Sequence, residues 1–245
     1  MQSKLTLLLL LFNLACYSQT KNRLENLFPS NTGEIVMHND YTLSYIKNCQ
    51  QPEWVIYKLT DDMLSKKKSC KKPNYFKKDV LILDQEATHD DYTNSGYDRG
   101  HLVPAFDMKY NCISYNETYI TSNLSPQKHK FNSQIWLGLE KKVRDWANNK
   151  NELYIITGPV ISKKNKKIEN TNICIPSHFY KIIIDLKDTN IISFLLPHDE
   201  ESKNIKNHIV SIDSLELITN INFFYKIDST LENLESKVNT EYWFK

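Results

Sequence analysis

Short runs of apolar, β-branched and aromatic residues, separated by polar stretches, recur along the chain and predict a sheet. Residues 41–45 and 53–59 alternate or run apolar with aromatic side chains, which is typical of a strand pair. Residues 119–123 predict a further short strand. Three other runs are apolar and β-branched and predict central strands. These runs are residues 153–157, 178–186 and 191–196.

The clearest helical pattern covers residues 132–148. Its apolar side chains recur every three or four positions, as on one face of a helix. They are Ile135, Trp136, Leu139, Val143, Trp146 and Ala147. Residues 212–219 and 231–237 predict short closing helices, whereas residues 19–40 and 61–95 are polar and predict a loosely ordered lead-in and a long loop.

The first 18 residues predict an export signal. A lysine near the start is followed by an apolar run, residues 5–14, that is too short to span a bilayer of about 30 Å. Cleavage after Ser18 fits the small residues there, and lipoprotein cleavage before Cys16 is the alternative. We therefore expect a secreted or periplasmic protein with no membrane contact after cleavage. Residues 19–245 would form one α+β domain with a mixed antiparallel sheet and flanking helices.

Export changes the interpretation of the cysteines. Four remain after cleavage, and an even number in an exported protein favours two disulfides. They are Cys49, Cys70, Cys112 and Cys174. Three pairings are open, and we favour Cys49–Cys70 with Cys112–Cys174 because the first closes a short loop.

The charge balance limits the partners. The chain has 31 Lys+Arg against 29 Asp+Glu, and a net charge of +2 predicts no strong general attraction to polyanions. A nucleic-acid enzyme would therefore need a local basic groove, for which the lysine-rich stretches 66–72 and 163–167 are candidates; the alternative is solvated loops. Arginine is rare, since only Arg23, Arg99 and Arg144 occur. The planar guanidinium group of arginine binds two phosphate oxygens at once, which favours a phosphate-binding role for Arg99 and Arg144.

The segment Asp98-Arg99-Gly100-His101 carries the first candidate chemistry. Neutral imidazole accepts a proton from water near physiological pH, so His101 is a candidate general base. Asp98 is a candidate to orient the ring or to anchor a turn, and Gly100 permits a close backbone approach.

Downstream, Asn132, Glu140 and Arg144 fall on one arc of the predicted helix. The amide oxygen of Asn132 suits a hard cation such as magnesium, although asparagine is also a good helix N-cap. Glu140 would lie about 12 Å along the axis from Asn132, which suits the metal's water shell better than direct ligation. Arg144 would bind a phosphate, and the alternative is a surface pair between Glu140 and Arg144.

These residues stand in a longer pattern that resembles the DNA/RNA non-specific endonucleases, also called the ββα-metal nucleases. The matching segments follow in the family's order over roughly residues 40–225. They include residues 95–105, 107–108, 122–127, 157–159 and 176–181, with Asn132, Trp136, Glu140 and Arg144.

The resemblance implies a ββα-metal active-site motif within the α+β fold. It implies that His101 is the general base and that Asn132 is the single protein ligand of Mg²⁺, or of Mn²⁺ in its place. It also implies that Glu140 holds the metal's waters.

The resemblance further implies that Arg99 and Arg144 bind phosphate and that Asn123 supports the site or contacts substrate. The family usually has one more arginine upstream of a phenylalanine. Here Lys72 precedes Phe76, and lysine lacks the bidentate fork.

Together these features predict an exported, magnesium-dependent, sugar-non-specific endonuclease that binds DNA and RNA through phosphate contacts. No element is equipped to read base edges, so base preference should be weak. The alternatives are a nucleic-acid-binding protein with little catalysis and a phosphodiesterase acting on another substrate. The sequence leaves the oligomeric state open.

Overall fold

A seven-stranded antiparallel sheet forms the centre of the computed structural model, which describes residues 24–66, 68–84, 86–162, 164–199, 203–227 and 233–245. Its strands are β1 (Glu34–Met37), β2 (Tyr41–Ile46), β3 (Gln51–Thr60), β6 (Glu152–Pro159), β7 (His178–Asp185), β8 (Asn190–Pro197) and β9 (Ile209–Val210). They lie side by side in the order β1-β2-β3-β6-β7-β8-β9. The strands predicted at residues 41–45, 53–59, 153–157, 178–186 and 191–196 are thus confirmed as β2, β3, β6, β7 and β8.

The edge strand β1 lies within the segment expected to be a loose lead-in, so that expectation is wrong there. Residues Glu34 to Met37 pair with Thr42 to Tyr45 of β2. Only Val36 of this strand is buried, and the other three side chains are exposed. An edge strand with one buried side chain carries too weak an apolar pattern to predict.

Both faces of the sheet are covered, which explains the apolar runs. Along β3, Val55 and Tyr57 point into one core, and Trp54 and Ile56 point into the other. Because side chains on both faces of the strand are buried, it needs apolar residues at successive positions and not only at alternate ones.

Helices frame the sheet. They are α1 (Asp61–Ser65), α2 (Cys112–Glu117), α3, α4 (Ile212–Thr219) and α5 (Thr240–Trp243). The helix α3 comprises three consecutive segments, His129–Phe131, the π-helical turn Asn132–Trp136 and Leu137–Lys150. The predicted helices at 132–148 and 212–219 are confirmed. At 231–237 the described residues 233–237 form turns and an irregular end, so the third predicted helix is not there.

The side chains predicted for the buried face of α3 are buried, including Trp136, Leu139 and Trp146. Asn132 is inside the helix, not at its N-cap, because its backbone N–H donates to the Lys128 carbonyl at 2.9 Å. The N-cap alternative for this residue is therefore wrong. The π-helical turn, an irregularity that often marks functional sites, begins at the same residue.

A separate two-stranded antiparallel ribbon leads into α3. It pairs β4 (Asp98–His101) with β5 (Leu124–Gln127), so that His101 lies opposite Leu124. The order β4, β5, α3 is a ββα unit, as the resemblance implied. The strand predicted at 119–123 is wrong in position, since Thr121–Asn123 is a 3₁₀ turn and pairing begins at Leu124.

Two disulfides are present, as expected, but in another pairing. They are Cys49–Cys174 and Cys70–Cys112, with Cα–Cα distances of 4.9 and 5.3 Å. The favoured pairing of Cys49 with Cys70 is wrong because the ten residues of β3 follow Cys49 and carry the chain about 33 Å across the sheet. Among the described residues, no helix has the length and apolarity needed to cross a membrane.

Candidate active site

The strand β4 approaches β5 so closely that one of its residues must be glycine. A Cβ on Gly100 would overlap the side chain of Gln127, which is fully buried on β5. The missing side chain allows the ribbon to close. Because side chains alternate along a strand, Arg99 and His101 then lie on the same face of the ribbon.

The ring of His101 is packed between two aromatic rings. Its centroid lies 5.2 Å from that of Phe76 and 5.1 Å from that of Tyr119. The Nε2 atom is buried and has no hydrogen-bond partner among the described residues. Burial lowers the pKa of His101 to about 4, and the nearby Lys72 ammonium contributes to the shift. The imidazole is therefore neutral at physiological pH, as a general base must be.

Asp98 positions Asn132. Its Oδ2 atom accepts a hydrogen bond from Asn132 Nδ2 at 2.9 Å, and His129 Nδ1 lies 3.0 Å from the same oxygen. Because the amide nitrogen of Asn132 is held by Asp98, its amide oxygen is the atom left for a ligand. Asp98 was expected to orient the ring of His101 or to anchor a turn, but the side chains that it binds are those of Asn132 and His129.

One cavity of about 380 Å³ brings four of the predicted site residues together. Its walls include His101 from β4 with Asn132, Glu140 and Arg144 from α3. Although Asn132 and Glu140 are eight positions apart, both face this space. The cavity therefore combines a neutral imidazole, an amide, a carboxyl group and a guanidinium group.

The guanidinium group of Arg144 is held from two sides. Its Nη1 donates to Asp107 Oδ1 at 2.9 Å, and its Cζ atom lies 4.8 Å from the ring centroid of Phe106. The partner of this arginine is thus a buried carboxylate on the segment after β4, and not the surface pair with Glu140 considered as an alternative. Burial raises the pKa of Asp107, and Arg144 opposes that shift.

Glu140 shares its surroundings with a buried lysine that sequence reasoning did not single out. Lys181 on β7 is fully buried, with its Nζ 3.2 Å from Thr157 Oγ1 and 4.5 Å from the Trp136 ring centroid. Burial raises the pKa of Glu140, and the charge of Lys181 lowers it. One signal was available, since Lys181 is a charged residue in the middle of an apolar strand run.

Four of the predicted site residues do not line the cavity: Asp98, the exposed Lys72, Arg99 and Asn123. Arg99 donates from Nε and Nη2 to the His89 carbonyl, at 3.1 and 2.7 Å, and from Nη2 to Thr93 Oγ1 at 2.7 Å. Asn123 is fully buried, and its amide binds both backbone groups of Val103. Asn123 therefore braces the segment after His101, a supporting role, and the substrate contact expected for it does not fit this burial.

Comparison with known proteins identifies the arrangement. The family model described as DNA/RNA non-specific endonuclease matches residues 19–230. The chain belongs to this family. These nucleases hydrolyse phosphodiester bonds in nucleic acids and are generally metal-dependent.

Individual relatives agree with the family. A mitochondrial nuclease of Saccharomyces cerevisiae is 29% identical over 224 residues, which cover 82% of this chain and 68% of the relative. A nuclease of Syncephalastrum racemosum is 29% identical over 238 residues, or 87% and 74% of the two chains. The crystal structure of the EndoG/EndoGI complex matches with a TM-score of 0.77 and 27% identity over 88% of this chain and 93% of that one. This match confirms the α+β fold class.

The expectation of a secreted or periplasmic protein is contradicted by the same comparisons. The similar nucleases of Saccharomyces cerevisiae, Schizosaccharomyces pombe and Mus musculus are mitochondrial. A basic start followed by a short apolar run is only a compositional feature, and it identifies a compartment less well than relatives that match over most of the chain. The predicted signal, residues 1–18, lies outside the described residues.

Proposed function

We propose that this nuclease is a magnesium-dependent, sugar-non-specific endonuclease that cleaves DNA and RNA with His101 as its general base. The observation that carries the proposal is the convergence of His101, Asn132, Glu140 and Arg144 on one cavity. A base, oxygen ligands for a hard cation and a phosphate-binding cation are the groups that metal-assisted phosphodiester hydrolysis requires.

The donor set fits a magnesium ion. Magnesium prefers oxygen ligands and usually keeps several waters. The hydrogen bond from Asn132 to Asp98 leaves an amide oxygen available, and Glu140 offers a carboxylate to the water shell. Manganese takes the same kinds of ligand. When bound, the ion would polarise the phosphate and stabilise the charge that develops on the leaving 3′ oxygen.

The protein's own groups divide the remaining work. His101 would take a proton from the attacking water through its neutral imidazole, which lines the cavity. Arg144, held between Asp107 and Phe106, would present its remaining N–H groups to a phosphate oxygen. The rings of Phe76 and Tyr119 would keep bulk water away from the imidazole.

Substrate binding is proposed to depend on phosphate contacts. The charge of the exposed Lys72 contributes to the lowered pKa of His101, so this ammonium would attract a phosphate towards the site. Arg99 would serve a neighbouring phosphate after exchanging the His89 or Thr93 contact for it. Phosphate contacts carry no sequence information directly, which supports cleavage of both DNA and RNA with weak base preference.

The test compares plasmid DNA and RNA as substrates, with magnesium and with excess chelator. Wild-type protein should cleave both, and chelator should abolish cleavage. His101→Ala should reduce turnover by about 10²–10⁴-fold while nucleic-acid binding is kept. His178→Ala is a matched control, because that histidine lies outside the cavity. Cleavage that survives chelation, or near wild-type turnover by His101→Ala, would overturn the proposal. Activity should also fall steeply between about 50 and 200 mM salt.

A further inference from the structure

A second cavity continues the candidate active site along α3. It encloses about 290 Å³ and shares Phe106, Lys141 and Arg144 with the first cavity. Its other walls include Leu64 from α1 and Asp145 with Asn148 from α3. The two cavities therefore adjoin, and Phe106, Lys141 and Arg144 stand between the catalytic cavity and this second compartment.

Phe106 is an exposed aromatic residue, and 41% of it is accessible to solvent. The ring packs against Arg144, so it borders the place where a phosphate would bind. An exposed aromatic ring beside a phosphate-binding cation is the arrangement by which proteins stack single-stranded bases and hold the adjoining backbone.

The charges in the second compartment indicate which part of a nucleotide it accepts. Lys141 and Arg144 lie on the side shared with the catalytic cavity. Asp145, which belongs only to the second compartment, would repel a phosphate there. Leu64 adds an apolar wall and Asn148 adds hydrogen-bonding groups. An apolar wall, an aromatic ring and a few polar groups suit a nucleobase better than a phosphate.

The size is consistent with a single base. A volume of about 290 Å³ is at the lower limit of ligand pockets, which run from roughly 300 to 1,000 Å³. The compartment is therefore suited to one base with part of its sugar.

We propose that this compartment is a nucleobase subsite, in which the base of the nucleotide next to the scissile phosphate stacks on Phe106. The proposal rests on the proposed function, since it presumes that the first cavity holds the scissile phosphate. Bases inside a duplex are already stacked on each other, so the subsite acts on single-stranded or unpaired substrate. The nuclease should therefore cleave single-stranded substrate faster than duplex of the same sequence.

The experiment removes the base and the ring separately and together. A short single-stranded oligonucleotide is compared with copies that carry one abasic residue, and cleavage is quantified at each phosphate around that residue. Wild-type protein should cleave one of the two phosphates flanking the abasic residue about five-fold more slowly, or slower still, than the same phosphate in the intact strand. In Phe106→Leu this abasic penalty should vanish, whereas Phe106→Trp should keep it. Leu217→Ala, at an 87% exposed apolar side chain on α4, is the control and should behave as wild type.

Each outcome decides the question. A wild-type protein without an abasic penalty, or a penalty of equal size in Phe106→Leu, would overturn the subsite. If leucine merely disturbs Arg144, cleavage would fall equally at every phosphate and the penalty would persist. If wild-type protein cleaves nothing, the proposed function fails instead. The subsite is then judged by fluorescence anisotropy in chelator, where abasic substitution should weaken binding to wild type and leave binding to Phe106→Leu unchanged.

Discussion

Replacing Lys181 by methionine tests how the charges under the candidate active site balance. Its side chain is fully buried, near Glu140, Asp107 and Arg144. Methionine keeps the approximate length and the contact with Trp136 but removes the charge. The carboxyl groups of Glu140 and Asp107 would then face a single cation, Arg144.

The expected loss of stability in Lys181→Met follows from the burial of the charges. Removing one partner of a buried charge cluster typically costs about 3–5 kcal/mol, because the remaining charge is left without compensation. For a chain of this size, each kcal/mol lowers Tm by about 2–4 °C. We therefore expect Lys181→Met to lower Tm by about 6–20 °C.

The pH dependence has a defined sign. Burial raises the pKa of Glu140 to about 7, above that of an exposed carboxyl group. At pH values between the pKa of Glu140 in the unfolded chain and about 7, the folded state binds more protons than the unfolded state. Glu140 therefore makes the free energy of unfolding fall as pH rises through this range. Without Lys181, which lowers that pKa, the window extends to higher pH. The stability lost in Lys181→Met should therefore be larger at pH 8 than at pH 6.

Urea unfolding of wild-type and variant protein at both pH values provides the assay. The double variant Lys181→Met with Glu140→Gln should recover part of the loss, since it removes the uncompensated carboxyl group. Lys58→Met is a matched control, because Lys58 forms a half-exposed pair with Glu152 at 3.6 Å and such pairs contribute about 0–1 kcal/mol. A loss below about 1 kcal/mol for Lys181→Met, equal at both pH values, would refute the reasoning.

Three further predictions concern the elements that shape the site. Gly100→Ala should destabilise the protein by about 1–3 kcal/mol and lower activity, because the added methyl group displaces Gln127; unchanged unfolding would contradict the close approach of β4 and β5. Asp98→Ala should raise the magnesium concentration for half-maximal rate by about 10–100-fold, and Asp98→Asn should do so less; an unshifted magnesium titration would show that Asn132 does not need this partner. Replacing both cysteines of the Cys70–Cys112 disulfide by serine should cost about 4 kcal/mol for a bond between residues 42 positions apart, measured by thermal unfolding, where an unaltered Tm would argue against that bond.

The sequence by itself determined the elements with strong local patterns. The apolar runs of β3, β6, β7 and β8 and the helical phase of α3 are repeated over many residues, so each element contains its own signal. The same holds for the group from Asp98 to His101, where unusual residue types stand next to each other. Elements with little burial, such as β1, lack this repetition and were missed.

The assignment of partners was decided only by the tertiary structure. Asp98 binds Asn132, 34 positions away, and Arg144 binds Asp107, 37 positions away. Sequence reasoning instead considered local partners for both, because neighbours along a strand or helix are the only contacts that periodicity predicts. The π-helical turn, which sets the phase between Asn132 and Glu140, likewise has no pattern of its own in the sequence.

Lys181 shows, within one residue, both what the sequence determines and what only the tertiary structure determines. Its position in an apolar run is evident from the sequence, and so is the fact that a charge there is costly. Which groups compensate that charge depends on the order of the strands, which carries β7 under α3 so that Lys181 meets Trp136 and Glu140. A local sequence pattern specifies whether a side chain is buried. The residues that it contacts are specified by the packing of distant elements, because folding alone brings those segments together.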